Sequence, residues 1–137
     1  RDFNRNCPGV YWPGEGGMMD LLTPTNHAGA YEWAAVLFAH ATVGLGLVAI
    51  VAALLDWLEA DSPGIVALHV VTVAYALVWE GIIQGYGAGL ADAAVDTFAV
   101  FMGGLLGVSA WGRRGIAVAA ALAALLGVLW AGVRARK

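Results

Sequence analysis

The sequence predicts an all-α membrane protein, with four transmembrane helices arranged as an up-down-up-down bundle. Composition is the first observation: 61% of the 137 residues are hydrophobic and 12% are charged, whereas soluble domains carry about 25% charged residues. The second is that apolar residues form four long runs, each near the ~20 residues that a helix needs to cross a bilayer. The third is that these runs lack the strict alternation of a barrel strand. A chain of this length is expected to form one domain.

The four runs follow one another with short connections. The first covers residues 33–55 and holds no Asp, Glu, Lys or Arg, and the second covers residues 65–84, with Glu80 as its one such residue. The third covers residues 92–111, and the fourth, residues 115–133, is apolar on every face. A helix of a soluble protein would show a polar stripe with a 3.6-residue period. The fourth run therefore favours a membrane protein over a soluble helical one.

The connections contain turn residues, and tryptophans lie near the ends of the runs. Pro63 stands where it can start a helix, glycines interrupt the second connection, and Gly112 precedes two arginines in the third. Short connections join antiparallel neighbours, which gives the bundle topology. Indole rings are expected at the level of the lipid headgroups. The tryptophans in question are Trp33, Trp57, Trp111 and Trp130.

Residues 1–30 are predicted to be an irregular N-terminal segment, and residues 31–137 to be the four-helix transmembrane domain. Four spans put both termini on one side of the membrane, which we call side A; the opposite side is side B. Basic residues occur on both: Arg1, Arg5, Arg134, Arg136 and Lys137 on side A, and Arg113 and Arg114 on side B. The positive-inside rule then places the termini in the cytoplasm, and the expected location is a bacterial inner membrane.

Charge and cysteine content exclude several function classes. The net charge is −3, and no Lys/Arg-rich run precedes the short C-terminal tail, so no nucleic-acid partner is expected. Cys7 is the single cysteine, so the chain has neither an internal disulfide nor a cysteine metal motif. The lipid bilayer is the partner that the composition predicts.

Small residues indicate where helices pack. Gly103 and Gly107 form a G-x-x-x-G pattern in the third run, Gly44 lies in the first run, and the fourth run is rich in alanine. Such residues let helix backbones approach one another within a bilayer. The same faces would serve for contact inside the bundle, for a homo-oligomer or for a partner in a membrane complex, and the spacing leaves these three options open.

Polar side chains inside the spans are costly in a bilayer and mark functional sites by default. At 1.5 Å per residue His40 lies ~10 Å from side A, and Glu80, on the returning helix, lies ~8 Å from it across a ~30 Å core. Gln84 follows Glu80 by one α-helical turn. Three helices and the second connection are therefore predicted to build one cluster near side A. Its members are His40, Glu80, Gln84, Tyr86, Asp92 and Asp96.

These residue types suggest acid–base chemistry, because burial in an apolar bundle disfavours the charged form of a carboxylate and leaves it able to exchange protons. The candidate catalytic residues are Glu80, His40 and Gln84, and the candidate binding residues are Asp92, Asp96 and Tyr86. Histidine with carboxylates can also hold a divalent cation. No metal-ligand spacing motif occurs, so no metal ligand is assigned and the cofactor is left open. The structural alternative is that these groups only form hydrogen bonds between helices, worth about 0.6 kcal/mol each.

The order of these elements resembles that of the VanZ-like and YjdF-like small membrane proteins. Those show a histidine element, then a Glu and a Gln, then two spaced aspartates leading into a glycine-rich helix. The matching residues are His40, Gly44, Glu80, Gln84, Asp92, Asp96, Gly103, Gly104 and Gly107, and the resemblance covers residues 33–111. It implies a bacterial or phage-encoded envelope protein, linked to glycopeptide resistance, that acts on or protects an envelope component.

Three other functions fit the same sequence. One is a non-enzymatic accessory or assembly subunit of a larger membrane complex, and another is a holin-like pore protein. A third is a light-harvesting or cytochrome-like subunit in which a single histidine binds a pigment. His40 and His69 differ by ~14 Å in depth, which is too far for both to bind one haem iron.

Overall fold

A computed structural model of the chain describes residues 29–85 and 90–135. Its helices are α1 (Ala30–Trp57), α2 (Pro63–Ala74), α3 (Leu90–Trp111) and α4 (Gly115–Ala135). A π-helical stretch, Tyr75–Ile83, continues α2 without a break and is called the π segment below. The described residues contain no strand. The N-terminal segment up to residue 28, Tyr86 and the last two residues lie outside the described part of the chain.

Four helical stretches are long and apolar enough to cross a membrane: Ala30–Trp57, Pro63–Ile83, Asp92–Trp111 and Gly115–Arg134. The prediction of an all-α protein with four spans is therefore confirmed. The protein is an integral membrane protein by the length and composition of these helices.

The two connections on side B are tight turns. Pro63 is in the first turn of α2, as expected for a residue that lacks a backbone donor. Three non-glycine residues adopt left-handed backbone conformations in these turns: Glu59, Ser62 and Arg113. Each costs roughly 1 kcal/mol or more, so the short connections are held by the packing of the helices that they join.

Helices α1 and α3 run parallel to each other and form the most extensive contact of the bundle. A Cβ atom on Gly44 would overlap the backbone of Val100, and one on Gly103 would overlap the backbone of Ala41. The two backbones therefore touch at this crossing, and only glycine permits that approach. Two of the three glycines singled out in the sequence lie at this contact within one chain.

The third, Gly107, lies one turn further along α3, where an added Cβ would come 2.7 Å from Leu45 Cδ1. Gly104 meets α1 and α2 together, since an added Cβ would lie 2.7 Å from Val48 Cγ2 and 2.8 Å from Leu68 Cδ1. The glycine face of α3 thus packs against two neighbouring helices, α1 and α2.

Helices α2 and α4 flank the α1–α3 pair, and each packs against both of its members. The core between α1, α2 and α3 is apolar; its buried members are Val48, Ala67, Leu68, Val71, Tyr75 and Val100. Helix α4 is peripheral, because 11% of its most apolar stretch is buried, compared with 39% for α3.

The tryptophans divide into two groups. Trp57, Trp111 and Trp130 are exposed, as a side chain at the headgroup level would be. Trp33 is buried instead, and its indole lies against Gly132 of α4. Its position near the end of a run predicted the membrane interface, but the small residue opposite lets the ring pack inside the bundle.

An apolar cavity of about 410 Å³ opens at the side B end, between α1, the start of α2 and the end of α3. Small residues leave this space unfilled, among them Ala49, Ala52, Ala53, Gly107 and Ala110. Asp56 is the charged residue on its lining, at the end of α1. The cavity and the polar side chains described next occupy opposite ends of the same three helices.

Candidate acid–base site

Five buried polar side chains from three helical elements form a group, which we call the polar cluster: His40, Tyr75, Glu80, Asp92 and Asp96. His40 comes from α1, Tyr75 and Glu80 from the π segment, and the two aspartates from the first turns of α3. Glu80 and Asp96 are 3% and 2% exposed as whole residues. Four of these five residues are sequence candidates, and their inward orientation, which depth alone does not determine, is seen in the structure.

One polar contact of the cluster joins α1 to α3. His40 Nδ1 lies 3.3 Å from Asp96 Oδ1, with both side chains buried. His40 is four residues before Gly44, and Asp96 is four residues before Val100, which is the residue that Gly44 touches. Because the two helices are parallel, one turn back on each leads to the same level. The glycine crossing therefore fixes the distance between histidine and aspartate.

Tyr75 connects this pair to Glu80. Its ring stands edge-on to the His40 ring, with 5.9 Å between centroids, and it stacks on Trp79 at 6.5 Å. Its hydroxyl lies beside the Glu80 carboxyl. The cluster is thus continuous from α3 through α1 to the π segment.

The π-helical geometry brings Tyr75 and Glu80 together. Residues five apart are about 140° out of alignment on an α-helix, whereas i→i+5 hydrogen bonds bring them to the same side. The backbone N–H of Gln84 donates to the backbone carbonyl oxygen of Trp79, five residues earlier, at 2.8 Å. Tyr75 was not among the sequence candidates because α-helical spacing points it away from Glu80. A tyrosine five residues before a buried acid is a signal only once the π geometry is known.

Gln84 follows the π segment as its C-cap residue. Its placement on one face with Glu80 rested on the four-residue spacing of an α-helix and stays a prediction. Gln84 is half-buried, and its Nε2 makes no hydrogen bond with the residues that the structure describes. Tyr86, the remaining candidate, lies outside the described residues.

The cluster carries more acid than base. Glu80, Asp92 and Asp96 are near enough to one another to interact electrostatically. No Lys or Arg occurs between residues 6 and 112, so α1, α2 and α3 supply histidines as their only cationic groups. His69 is exposed on the outside of α2, with Nδ1 2.8 Å from the Ile65 carbonyl oxygen. His40 is therefore the basic side chain of the cluster.

Two carboxylate oxygens remain open. Glu80 Oε1 and Asp96 Oδ2 are buried and make no hydrogen bond within the described part of the chain. Buried polar atoms of this kind are uncommon and call for an explanation, such as a ligand or a catalytic role. Among the described residues, no three His, Cys, Asp or Glu side chains are grouped so that they could hold a metal ion.

Comparison with known proteins adds no relative. The chain matches no family model, no curated protein and no solved structure. Function is therefore argued from the polar cluster and from the fold that builds it.

Proposed function

We propose that this chain is a VanZ-like protein of the bacterial inner membrane, which acts on or protects a component of the cell envelope through the polar cluster. The observation that carries the proposal is the buried His40–Asp96 contact with Tyr75 and Glu80 beside it. Ionisable groups inside a membrane bundle are expensive and are functional by default. The order of motifs along residues 33–111 supports the choice of family.

The geometry suits proton exchange. A carboxylate bonded to one ring nitrogen orients the imidazole and fixes its tautomer, so that the other nitrogen takes or gives the proton. Here Asp96 approaches Nδ1 of His40. Glu80 serves as the second acid or base, and the Tyr75 hydroxyl beside it can donate a hydrogen bond to its carboxylate form. The depth of His40 and Glu80 puts this chemistry near side A, on the cytoplasmic side if the termini are cytoplasmic.

A second function, an accessory subunit of a larger membrane complex, is favoured by α4. This helix is the least buried of the four, and its outer face is rich in alanine, which suits close helix packing. A stable partner that co-purifies with the chain and is lost when exposed alanines of α4 are replaced by leucine would favour this function. A holin-like pore has less support, because the polar cluster occupies one end of the bundle and an apolar cavity the other.

The test is glycopeptide susceptibility of a sensitive Gram-positive host that expresses the chain. We expect protection by the wild type and loss of protection in Glu80→Gln, because the amide keeps the shape but cannot exchange a proton. Glu59→Gln is the matched control, since Glu59 is exposed in the side B turn. Membrane levels of all three proteins are measured by immunoblot.

Protection by wild type and Glu59→Gln alone supports the acid–base role. Equal protection by Glu80→Gln would remove that role and leave an envelope function without it. If none of the three proteins protects at matched membrane levels, the envelope function is rejected and the accessory-subunit function takes its place.

A further inference from the structure

The unbalanced charge of the polar cluster indicates what it binds. Three buried carboxylates face one histidine, and α1 to α3 contain no Lys or Arg that could approach. The basic residue that α4 contributes near the same end, Arg134, is exposed and lies 5.1 Å from the centroid of the Trp130 ring. Within residues 29–85 and 90–135, the protein thus provides mainly acceptors in this space, and His40 is the basic side chain of the cluster.

Two atoms show where a ligand would be held. Glu80 Oε1 and Asp96 Oδ2 belong to residues that are at least nine-tenths buried, and neither atom has a hydrogen-bond partner among the described residues. Leaving a buried acceptor without a hydrogen-bond partner is unfavourable. Both oxygens belong to the one cluster that Tyr75 and His40 connect, and the carboxyl groups of Glu80 and Asp96 are near enough to interact electrostatically.

The chemistry of that group follows from the acceptors and the rings. A primary ammonium carries one positive charge and three N–H donors. Two of these donors can bond the two carboxylate oxygens that lack a partner, which leaves a third donor for another acceptor. Tyr75, whose hydroxyl lies beside the Glu80 carboxyl, stacks on Trp79, and the π faces of aromatic rings attract a cation. A divalent metal would need more converging ligands than the described residues group together.

We propose that the polar cluster binds a primary ammonium group between Glu80 Oε1 and Asp96 Oδ2. This rests on the proposed function in taking the cluster as the ligand site, and it specifies the envelope component as one that bears an amine. Two sources share this chemistry: an aminated lipid headgroup that enters from the bilayer, and a free amine that enters from side A.

The experiment uses the purified full chain in phosphatidylglycerol nanodiscs, titrated with ethanolamine hydrochloride at pH 7. Binding is followed by calorimetry and by tryptophan fluorescence. Ethylene glycol is the neutral control of similar size, tetramethylammonium is the cation without N–H donors, and sodium chloride controls for ionic strength. We expect saturable binding of ethanolamine and at least tenfold weaker binding of the other three, because each lacks the charge or the donors.

The variants test the two oxygens. Glu80→Gln and Asp96→Asn are each expected to weaken ethanolamine binding about tenfold or more, whereas Glu59→Gln and Asp61→Asn, in the exposed side B turn, leave it unchanged. Size-exclusion profiles and thermal unfolding show which variants are folded. Absence of saturable binding by the folded wild type, or equal binding of ethylene glycol, overturns the proposal.

The lipid source is tested by changing the nanodisc. If phosphatidylethanolamine enters the site, nanodiscs that contain it weaken the apparent binding of ethanolamine, and nanodiscs with phosphatidylcholine, which has no N–H donor, do not. Equal ethanolamine binding in both assigns the site to a free amine. Amine binding without glycopeptide protection defeats the envelope function alone, and protection without amine binding defeats this inference alone.

Discussion

The two ends of the bundle are built from the same three membrane spans and have opposite character. Toward side A, α1, the π segment and α3 enclose five polar side chains. Toward side B, α1, the start of α2 and the end of α3 surround an apolar cavity of about 410 Å³. The side A end buries ionisable groups, which is energetically unfavourable, and the side B end leaves space that no side chain fills.

The difference has its origin at the glycine crossing. Gly44 and Gly103 bring α1 and α3 into backbone contact, next to the turns that carry His40 and Asp96. Beyond that point toward side B the helices are lined by alanine and glycine, whose side chains are too small to fill the gap. Tight packing thus coincides with the polar chemistry, which needs fixed distances, and loose packing lies where lipid chains can fill space.

The largest effect is expected at the crossing itself. Gly44→Ala and Gly103→Ala each place a Cβ atom into the backbone of the other helix, and neither backbone can move aside as a flexible side chain would. We expect each to destabilise the bundle by about 3 kcal/mol or more, measured by denaturant unfolding in mixed micelles.

The controls for these substitutions are Gly46→Ala in α1 and Gly127→Ala in α4, because a Cβ at either position meets nothing within 4 Å. They are expected to be neutral or to stabilise by up to ~1 kcal/mol, since alanine favours the helix. If Gly44→Ala unfolds in the same range as Gly46→Ala, the crossing is not the tight point of the bundle.

An intermediate effect is expected for the His40–Asp96 contact. A double-mutant cycle of His40→Gln and Asp96→Asn should give a coupling free energy of about 1 kcal/mol or more, above the ~0.6 kcal/mol average for hydrogen bonds between transmembrane helices. The physical reason is that both groups are buried and one is charged.

The same cycle with His69→Gln in place of His40→Gln is the control. His69 is exposed and is bonded within its own helix, so its coupling to Asp96 should stay below ~0.5 kcal/mol. Equal coupling in the two cycles would mean that the 3.3 Å contact adds nothing specific to stability.

The smallest effect is expected at the cavity. Ala52→Leu adds three carbons to the lining and should raise the free energy of unfolding by ~1 kcal/mol or less, because it fills part of the space that small residues leave. Ala119→Leu on the exposed face of α4 is the control and should be neutral. A loss of stability larger than that of Ala119→Leu would show that the side B end is already filled.

Much of the fold follows from the sequence. Hydrophobic runs of membrane-crossing length determine four helices whatever their packing, because the bilayer leaves the backbone no other way to satisfy its hydrogen bonds. Depth along the helices also placed His40 and Glu80 at one level, since that needs only the rise per residue. The length of a hydrophobic run and the depth of a residue along its helix depend only on positions in the chain, so both can be calculated from the sequence.

Helix rotation and helix period were harder to predict. Tyr75 was not predicted as a member of the cluster, because residues five apart lie on different faces of an α-helix and the π segment that brings it to Glu80 has no signal in the sequence. Gly44 and Gly103 were recognised as packing residues, but their spacing does not say that they meet each other across two parallel helices. The burial of Trp33 depends on Gly132, which lies 99 positions later in the chain, a contact that no local pattern encodes.

The parallel pairing of α1 with α3 also has a consequence for biosynthesis. The ribosome delivers α1 first and then its antiparallel neighbour, so the first hairpin enters the membrane before the principal partner of α1 exists. During that interval His40 has Tyr75 and Glu80 available, whereas Asp96 has not yet entered the membrane. The polar cluster is therefore complete only after the third span has inserted and Gly44 packs against Val100, a contact between residues that are distant in sequence.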